Sequence, residues 1–423
     1  MEVNIIVDNF KIMLLYLYGF FVIYMPRFSD LYLGIPVELF SVLLMSIMIF
    51  PRFLSILKFR NTKYINKDIY LLICGISISG IYFATRAAIT GNELRLAQNY
   101  FIIIQILHCL NMVRLLKQLG YDKDRMFRYI FNIAMIQGFI CISMIIIPSF
   151  RQLALDLYYM GREENIFISK SRIYGLSGDY TFFTPCFHGM IGAIVTIFAI
   201  VKDKKYLIYL PFIIISILLN GRTGLIIYVA GCLGAMFFMI IKGRSVFKIF
   251  FYIMTSVFIL WGGISLIKVV APDTVKFIES GIKETMALIS NRELEGHYLY
   301  LFDKMLYFPE GWSLVFGEGH RVYGVFGRSK GYQASDIGYV NDMFMGGYIY
   351  ILILYGSILR FINIRVYQLG NTVKSNRIID QLIPIILIIT LSISNYKGES
   401  MRGGIILTGA LLVKIILIDK FNN

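Results

Sequence analysis

The chain has 423 residues, 57 % of them hydrophobic and 16 % charged, against about 45–50 % and 25 % in soluble proteins. Mean hydropathy is +0.70, and the apolar residues gather into runs of about 15–22, long enough to cross a hydrocarbon layer of about 30 Å as helices. A set of soluble domains is excluded, and the formal charge of +15 must be divided between two faces of a bilayer before a nucleic-acid partner is considered.

Met1 to Lys11 has neither a basic n-region nor a small-residue cleavage site, so the first apolar run is expected to be a retained span. Spans are predicted at 12–25, 32–50, 68–85, 97–113, 128–147, 181–201, 206–220, 224–241, 247–270, 338–359, 379–394 and 403–418. The expected fold is therefore all-α: a polytopic integral membrane protein of about 12 transmembrane helices, one transmembrane domain over 1–423. Only Gly221-Arg222-Thr223 separates the seventh and eighth runs.

Every second loop is short and basic. Arg52, Lys58, Arg60, Lys63 and Lys67 follow the second span; Arg114, Lys117, Lys123, Arg125 and Arg128 follow the fourth. Lys202, Lys204 and Lys205, then Lys242, Arg244 and Lys248, then Arg360, Arg365, Lys374 and Arg377 continue the pattern. This is the positive-inside arrangement, and with an even count both termini are expected in the cytoplasm.

Two segments on the outer side are long, 148–180 and 271–337, and both are basic where orientation does not require it. The larger is expected to hold two amphipathic helices. After the N-cap candidate Asp273, Val275, Ile278, Ile282, Met286 and Ile289 recur at helical spacing; over 292–307, Leu294, Tyr298, Leu301 and Met305 do the same. Gly317 to Gly331 is glycine-rich and is expected to form turns. Absence of an internal repeat weighs against a secondary transporter.

Within this frame a few polar residues need a reason. Arg222, in Asn220-Gly221-Arg222-Thr223-Gly224, offers a planar fork that matches phosphate oxygens, and the flanking glycines would let a ligand approach the backbone. The alternative is a snorkelling arginine that anchors the hairpin. Arg172, just before Ile173-Tyr174-Gly175, suits an anionic sugar carrier at the membrane surface, or else belongs to a solvated loop. Arg292 opens the second amphipathic helix, and Gly317-Glu318-Gly319-His320-Arg321 reads as a turn presenting His320 and Arg321. Asp336 is either the cap of the span at 338 or a general base at the outer boundary. Asp342, six residues on, lies deeper and needs a partner or water. Lys397, Glu399 and Arg402 crowd the last outer loop, as ligands of the same opening or as a structural ion pair. His108 and His188 fall within spans, where hydrogen-bonded packing is the commoner account. The five cysteines read as small buried hydrophobes, and neither a metal nor a cofactor is expected.

Taken together, the topology and these motifs resemble the Wzy-type O-antigen polymerases, relatives of the O-antigen ligases. Arg222 within Gly-Arg-Thr-Gly is similar to their arginine-small-glycine signature. Arg292, followed by Pro309 and Gly317-Glu318-Gly319, resembles an arginine-headed helix leading to a glycine turn. Ser335-Asp336-Ile337-Gly338-Tyr339 followed by Gly346-Gly347 looks like the run that enters the next span. Ligases carry a histidine beside an asparagine there, where this chain has Asp336; the two-loop arginine motif of some polymerases is not matched by Arg162 or Arg172.

The resemblance implies a glycosyltransferase of the bacterial inner membrane with its active site facing the periplasm. Its partners would be undecaprenyl-pyrophosphate-linked oligosaccharides as donor and acceptor, membrane lipid, and a chain-length regulator, but no nucleic acid. Arg172, Arg222, Arg292, Arg321, Lys397 and Arg402 would hold pyrophosphate, and Asp336 or His320 would act as base. Tyr298, Tyr300, Trp312, Tyr323 and Tyr332 are candidates to stack on sugar faces. The other readings are a lipid-linked oligosaccharide flippase and an O-antigen ligase.

Overall fold

The computed structural model describes residues 2–26, 67–90, 96–159, 172–173, 175–178, 183–241, 246–270, 275–276, 279–280, 283, 287, 299–322, 331–363 and 374–418. They form α1 (Glu2–Tyr24), α2 (Lys67–Thr90), α3 (Leu96–Gln118), α4 (Lys123–Ile146), α5 (Pro148–Tyr159) and α6 (Phe183–Val201). A 3-10 turn (Lys204–Tyr209) leads into α7 (Leu210–Asn220), α8 (Arg222–Ile241) and α9 (Val246–Val270). Next come α10 (Trp312–Phe316), α11 (Gly338–Asn363), α12 (Lys374–Asn395) and α13 (Gly404–Ile418). No strand occurs among the described residues.

Among the described residues seven helices are long and apolar enough to cross a membrane: α2, α3 from Asn99, α4, α6, α8, α11 and α12 from Ile378. The apolar parts of α1 and α13 are shorter, Phe10–Tyr24 and Gly404–Ile418. The span expected at 32–50 lies outside the described residues. The run at 206–220 is a helix only from Leu210, after a 3-10 turn capped by the Asp203 carboxylate on Lys205 N–H (3.0 Å). The segment 148–180, expected as a loop, contains α5; Leu153 on it stays exposed while Ala154 is buried.

The bundle is built around α6. Thr184 to Ala199 are all buried, as expected of a helix apolar on every side, and α4, α7, α8, α12 and α13 pack against it. Its seam with α8 is made by small residues. A Cβ on Gly189 would come within 2.2 Å of the Gly224 carbonyl oxygen, one on Gly224 within 2.2 Å of that of Pro185, and one on Gly231 within 2.9 Å of Ala193 Cβ. In lipid, where burial of apolar surface drives helices together only weakly, such close backbone packing supplies the attraction. Gly224 is therefore filled by α6, not left open to a ligand as the sequence suggested.

Several of the polar side chains inside the bundle are paired. Tyr18 and Tyr24 of α1 hydrogen-bond His108 (2.9 Å) and His188 (2.6 Å), so both histidines pack as expected. Asn99 donates to Ser79 (2.9 Å) and accepts from Tyr350 (3.1 Å), tying α2, α3 and α11 together.

Successive helices run up and down, which sorts the loops onto two ends. At one end Lys123 pairs with Asp380 (2.6 Å) and Lys202 with Asp124. At the other, Gly178 N–H donates to the Tyr24 carbonyl (2.8 Å), Ile173 N–H to that of Leu219 (3.2 Å), and Arg86 to that of Gly317. Among the described residues, the basic stretches around Lys123 and Lys202 thus lie at the end opposite to residues 173–178 and Gly317.

Near that second end α11 is broken. Gly347 has φ +64°, a conformation open chiefly to glycine. The turn after α10 presses into the break: a Cβ on Gly317 would meet Gly346 N at 2.4 Å, and one on Gly347 would meet Val315 C at 2.4 Å. The Phe344 and Met345 carbonyls beside the break accept from Glu318 N–H (2.6 Å) and Gly319 N–H (3.2 Å). The outer segment thereby supplies bonds that an unbroken helix would have made within itself.

Gly224→Ala is expected to cost about 1–3 kcal/mol through overpacking of the α6–α8 seam. Gly262→Ala, on an exposed face with no atom within 4 Å of the added Cβ, should change stability by less than about 1 kcal/mol. Thermal unfolding of the two purified variants in detergent checks the contrast; equal losses would remove the packing account.

Candidate functional site

The deepest part of the site is an ionic cluster. Arg402 and Asp342 are both 0 % exposed, with Arg402 Nε 2.6 Å from Asp342 Oδ1. Arg402 also pairs with Glu399, three residues earlier. Glu399 in turn accepts from Arg321 Nη1 (3.2 Å). Asp342 accepts from the Tyr355 hydroxyl, and Tyr355 accepts from Asn395 Nδ2 (2.6 Å). Two guanidinium groups and two carboxylates thus meet with no net formal charge, and the charge-neutral arrangement is what lets them stay buried.

The elements that make this meeting possible are local. Asn341 Oδ1 accepts from Val322 N–H (3.1 Å), while its Nδ2 donates to the carbonyls of Ser335 (2.8 Å) and Ile337 (3.0 Å). Ser335 donates to the Met305 carbonyl (2.8 Å) and accepts from Ile337 N–H (3.2 Å). Leu301, Met305, Val322, Ile337, Val340 and Phe344 form a small apolar core beneath these bonds. The end of the predicted second amphipathic stretch is thereby clamped onto the start of α11.

Three expectations change here. Arg402, assigned to pyrophosphate, is completely buried on Asp342 and Glu399, so its charge is already answered. His320, expected on the surface of a turn, is 1 % exposed. Its ring packs beside both Tyr332 and Phe344, with Nε2 3.7 Å from a Glu318 carboxylate oxygen. Arg321 is nearly buried as well and points to Glu399. Gly317 and Gly319 do form the predicted turn, at φ +73° and +78°, but it folds inward, because α11's break gives its N–H groups carbonyl partners.

Asp336 behaves differently. It makes no capping hydrogen bond to α11; Ser335 beside it accepts from Ile337 N–H, one residue before the helix begins. Its side chain reaches solvent, yet the crowding of protein around it, and secondly Glu399, raise its carboxyl above the ordinary value. Lys397 is half-buried in the same outer turn, its N–H on the Ser394 carbonyl (2.9 Å). Beside it Tyr396 is exposed and packs between Phe302 (6.2 Å) and Tyr339 (4.9 Å), an aromatic surface next to the carboxylates.

Arg172 and Arg222 lie on segments that meet at the end of α7. Ile173 N–H bonds the Leu219 carbonyl, which places Arg172 beside the turn that carries Arg222. Gly221 ends α7 in an extended conformation, and Arg222 is the first residue of α8. Arg222 Nη2 donates to Ser280 Oγ (2.9 Å) in the large outer segment. Arg292 lies outside the described residues. A shallow hollow bordered by Asp68, Leu72, Gly356, Ser357 and Arg360 sits at the opposite end of α2 and α11, away from all these groups.

Arg86 was missed. It lies in the apolar run of α2 and donates Nε (3.1 Å) and Nη2 (2.9 Å) to the Gly317 carbonyl. It stands one residue beyond the span expected at 68–85, and the helix runs on past it to Thr90. No group of three His, Cys, Asp or Glu side chains able to hold a metal ion occurs among the described residues.

The fold and site together define an all-helical protein with several membrane-length helices and a charged, aromatic-edged site at one end of them. No family model, curated protein or solved structure matches the chain.

Arg402→Met leaves Asp342 and Glu399 without their shared cation and is expected to destabilise the protein by about 3–5 kcal/mol. Removing the facing charge as well, Arg402→Met with Asp342→Leu, should recover part of that loss. Unfolding midpoints of the single and double variants check the coupling; strictly additive losses would contradict it.

Proposed function

We propose that the chain is an O-antigen-type polymerase, a glycosyltransferase that moves a growing glycan from undecaprenyl pyrophosphate onto another lipid-linked repeat unit. In this reading it has about twelve spans in a bacterial inner membrane. The end bearing Lys123 and Lys202 faces the cytoplasm with both termini, and the end bearing Arg222 faces the periplasm. The resemblance of Gly-Arg-Thr-Gly and of the run around Asp336 to the polymerases supports it.

The observation that carries the proposal is the place of Arg222 as the first residue of α8. A cation at the positive end of a helix dipole has the wrong sign for helix stability. Guanidinium and helix N-terminus together suit an anion at the bilayer boundary, and Arg172 stands close by.

The chemistry follows from that placement. The acceptor sugar hydroxyl gives its proton to Asp336 while its oxygen attacks the anomeric carbon of the donor. The bond from that carbon to the diphosphate oxygen breaks, and the diphosphate leaves with the electron pair, stabilised by Arg172 and Arg222. Arg292 and Lys397 are assigned to the same anion from sequence alone. Arg321 and Arg402 act one step back, holding Glu399 and hence the field around Asp336. His320 is too enclosed to be the base.

The broken helix α11 favours a second reading, a flippase for lipid-linked oligosaccharides, because discontinuous helices commonly shape transporter sites. The two differ in cells lacking the protein: loss of a polymerase leaves single capped repeat units, whereas loss of a flippase leaves none.

Arg222→Ala is expected to lower polymerisation by on the order of a hundredfold, with the protein still in the membrane. Normal long-chain ladders on a gel would refute the assignment. Because the Asp336 carboxyl is raised, its base form is lost earlier as pH falls. The acid limb of the rate profile should therefore lie above the ordinary carboxylate range, and Asp336→Asn should abolish activity at every pH. A profile flat through that range would exclude Asp336 as the base.

A further inference from the structure

The large outer segment carries a feature that glycan transfer does not use. The five residues of α10 are bracketed by Gly311 and Gly317, both at positive φ (+56° and +73°). Trp312 is 79 % exposed and stacks on the exposed Phe316, ring centroids 5.9 Å apart. Leu299, Tyr300, Phe302 and Phe308, shortly before, are exposed too. In a water-facing loop this run of apolar side chains would be costly.

The hydrogen bonds to α2 locate α10 relative to the membrane. The Phe316 carbonyl accepts from the Tyr82 hydroxyl (3.1 Å), and the Gly317 carbonyl from Arg86. Tyr82 lies eight residues before the end of α2 at Thr90, about 12 Å along the axis. Helical side chains lean toward the N-terminus, so the hydroxyl points deeper still. Gly319 lies beside Ala87 and Thr90, so the chain climbs outward from Phe316 to Gly319. α10 is thus the bottom of a loop that dips below the end of α2.

The neighbouring surface matches that depth. Ile78, Ile81 and Ile89 of α2 are exposed on a helix of membrane length. The carbonyls of the dipping turn are answered by Tyr82 and Arg86, and its N–H groups by the carbonyls of the broken α11, as backbone must be where water is absent. Exposed Trp and Phe beside paired backbone is the pattern of a segment that meets the interfacial layer.

We propose that α10 is a re-entrant wedge seated in the outer part of the bilayer, with Trp312 and Phe316 in contact with lipid. The occupant of this apolar face is the lipid leaflet itself, continuous with the lipid-facing side of α2. The wedge would anchor the segment carrying Glu318, His320 and Arg321 at a set depth, whatever reaction the site performs.

The chain has two tryptophans, which makes the test direct. Trp261→Phe leaves Trp312 as the single indole, and the full-length variant is reconstituted in phosphatidylcholine vesicles with or without bromine on the upper acyl chain. Trp312→Phe, keeping Trp261 of α9, serves as the hydrocarbon reference. The wedge predicts a blue-shifted Trp312 emission that brominated lipid quenches for the most part and aqueous iodide barely touches. Quenching by iodide and not by lipid would overturn it, as would quenching by neither, which would place the indole inside a protein contact. If Trp261→Phe does not reach the vesicles, the difference between wild-type and Trp312→Phe spectra gives the same reading. The measurement is independent of glycan transfer, so the wedge and the polymerase assignment can fail separately.

Discussion

Arg402 is held at zero exposure between Asp342 and Glu399, and much of the outer half of the bundle is arranged around that fact. An ion taken from water into a membrane protein's interior loses several kcal/mol of solvation, so it must be met by opposite charge in good geometry. The carboxylates come from α11 and from the turn after α12, and Arg321 completes the balance from the outer segment. Once Arg321 is drawn to Glu399, residues 317–322 must lie across the start of α11. The break at Gly347 and the inward fold of the glycine turn then follow from packing and from unpaired carbonyls.

This arrangement separates two kinds of cation that look alike in the chain. Arg321 and Arg402 are neutralised by carboxylates and serve the architecture. Arg222 opens α8, where the helix end repels positive charge and attracts anions, and the segment of Arg172 meets the end of α7. Asp336 stands at solvent beside Glu399, shielded enough to be a better base than an ordinary surface carboxylate. A mechanism that divides leaving-group stabilisation from proton transfer can use such an arrangement.

The helices themselves were legible, because a 20-residue apolar run has few other outcomes in a chain of this composition. The short helix α5 and the 3-10 turn before α7 were not, since twelve residues and six are too short for an apolar run to mark them. Gly224 was misread for a related reason: a glycine needed by a neighbouring helix and one needed by a ligand are the same letter. Arg86 lies one residue past the expected end of its span, and only the longer helix places it within α2.

Composition and periodicity alone determined that this is an all-helical protein with membrane-length helices, and loop charge supplied a preferred orientation for them. Tertiary structure decided which arginines are spoken for, that His320 is enclosed, and that α11 is broken under the α10 turn. The physical reason is that hydrophobic length is a property of contiguous residues, whereas the pairing of a charge depends on partners far apart in sequence. Arg402 and Asp342 are sixty positions apart, and only the folded bundle brings them to 2.6 Å.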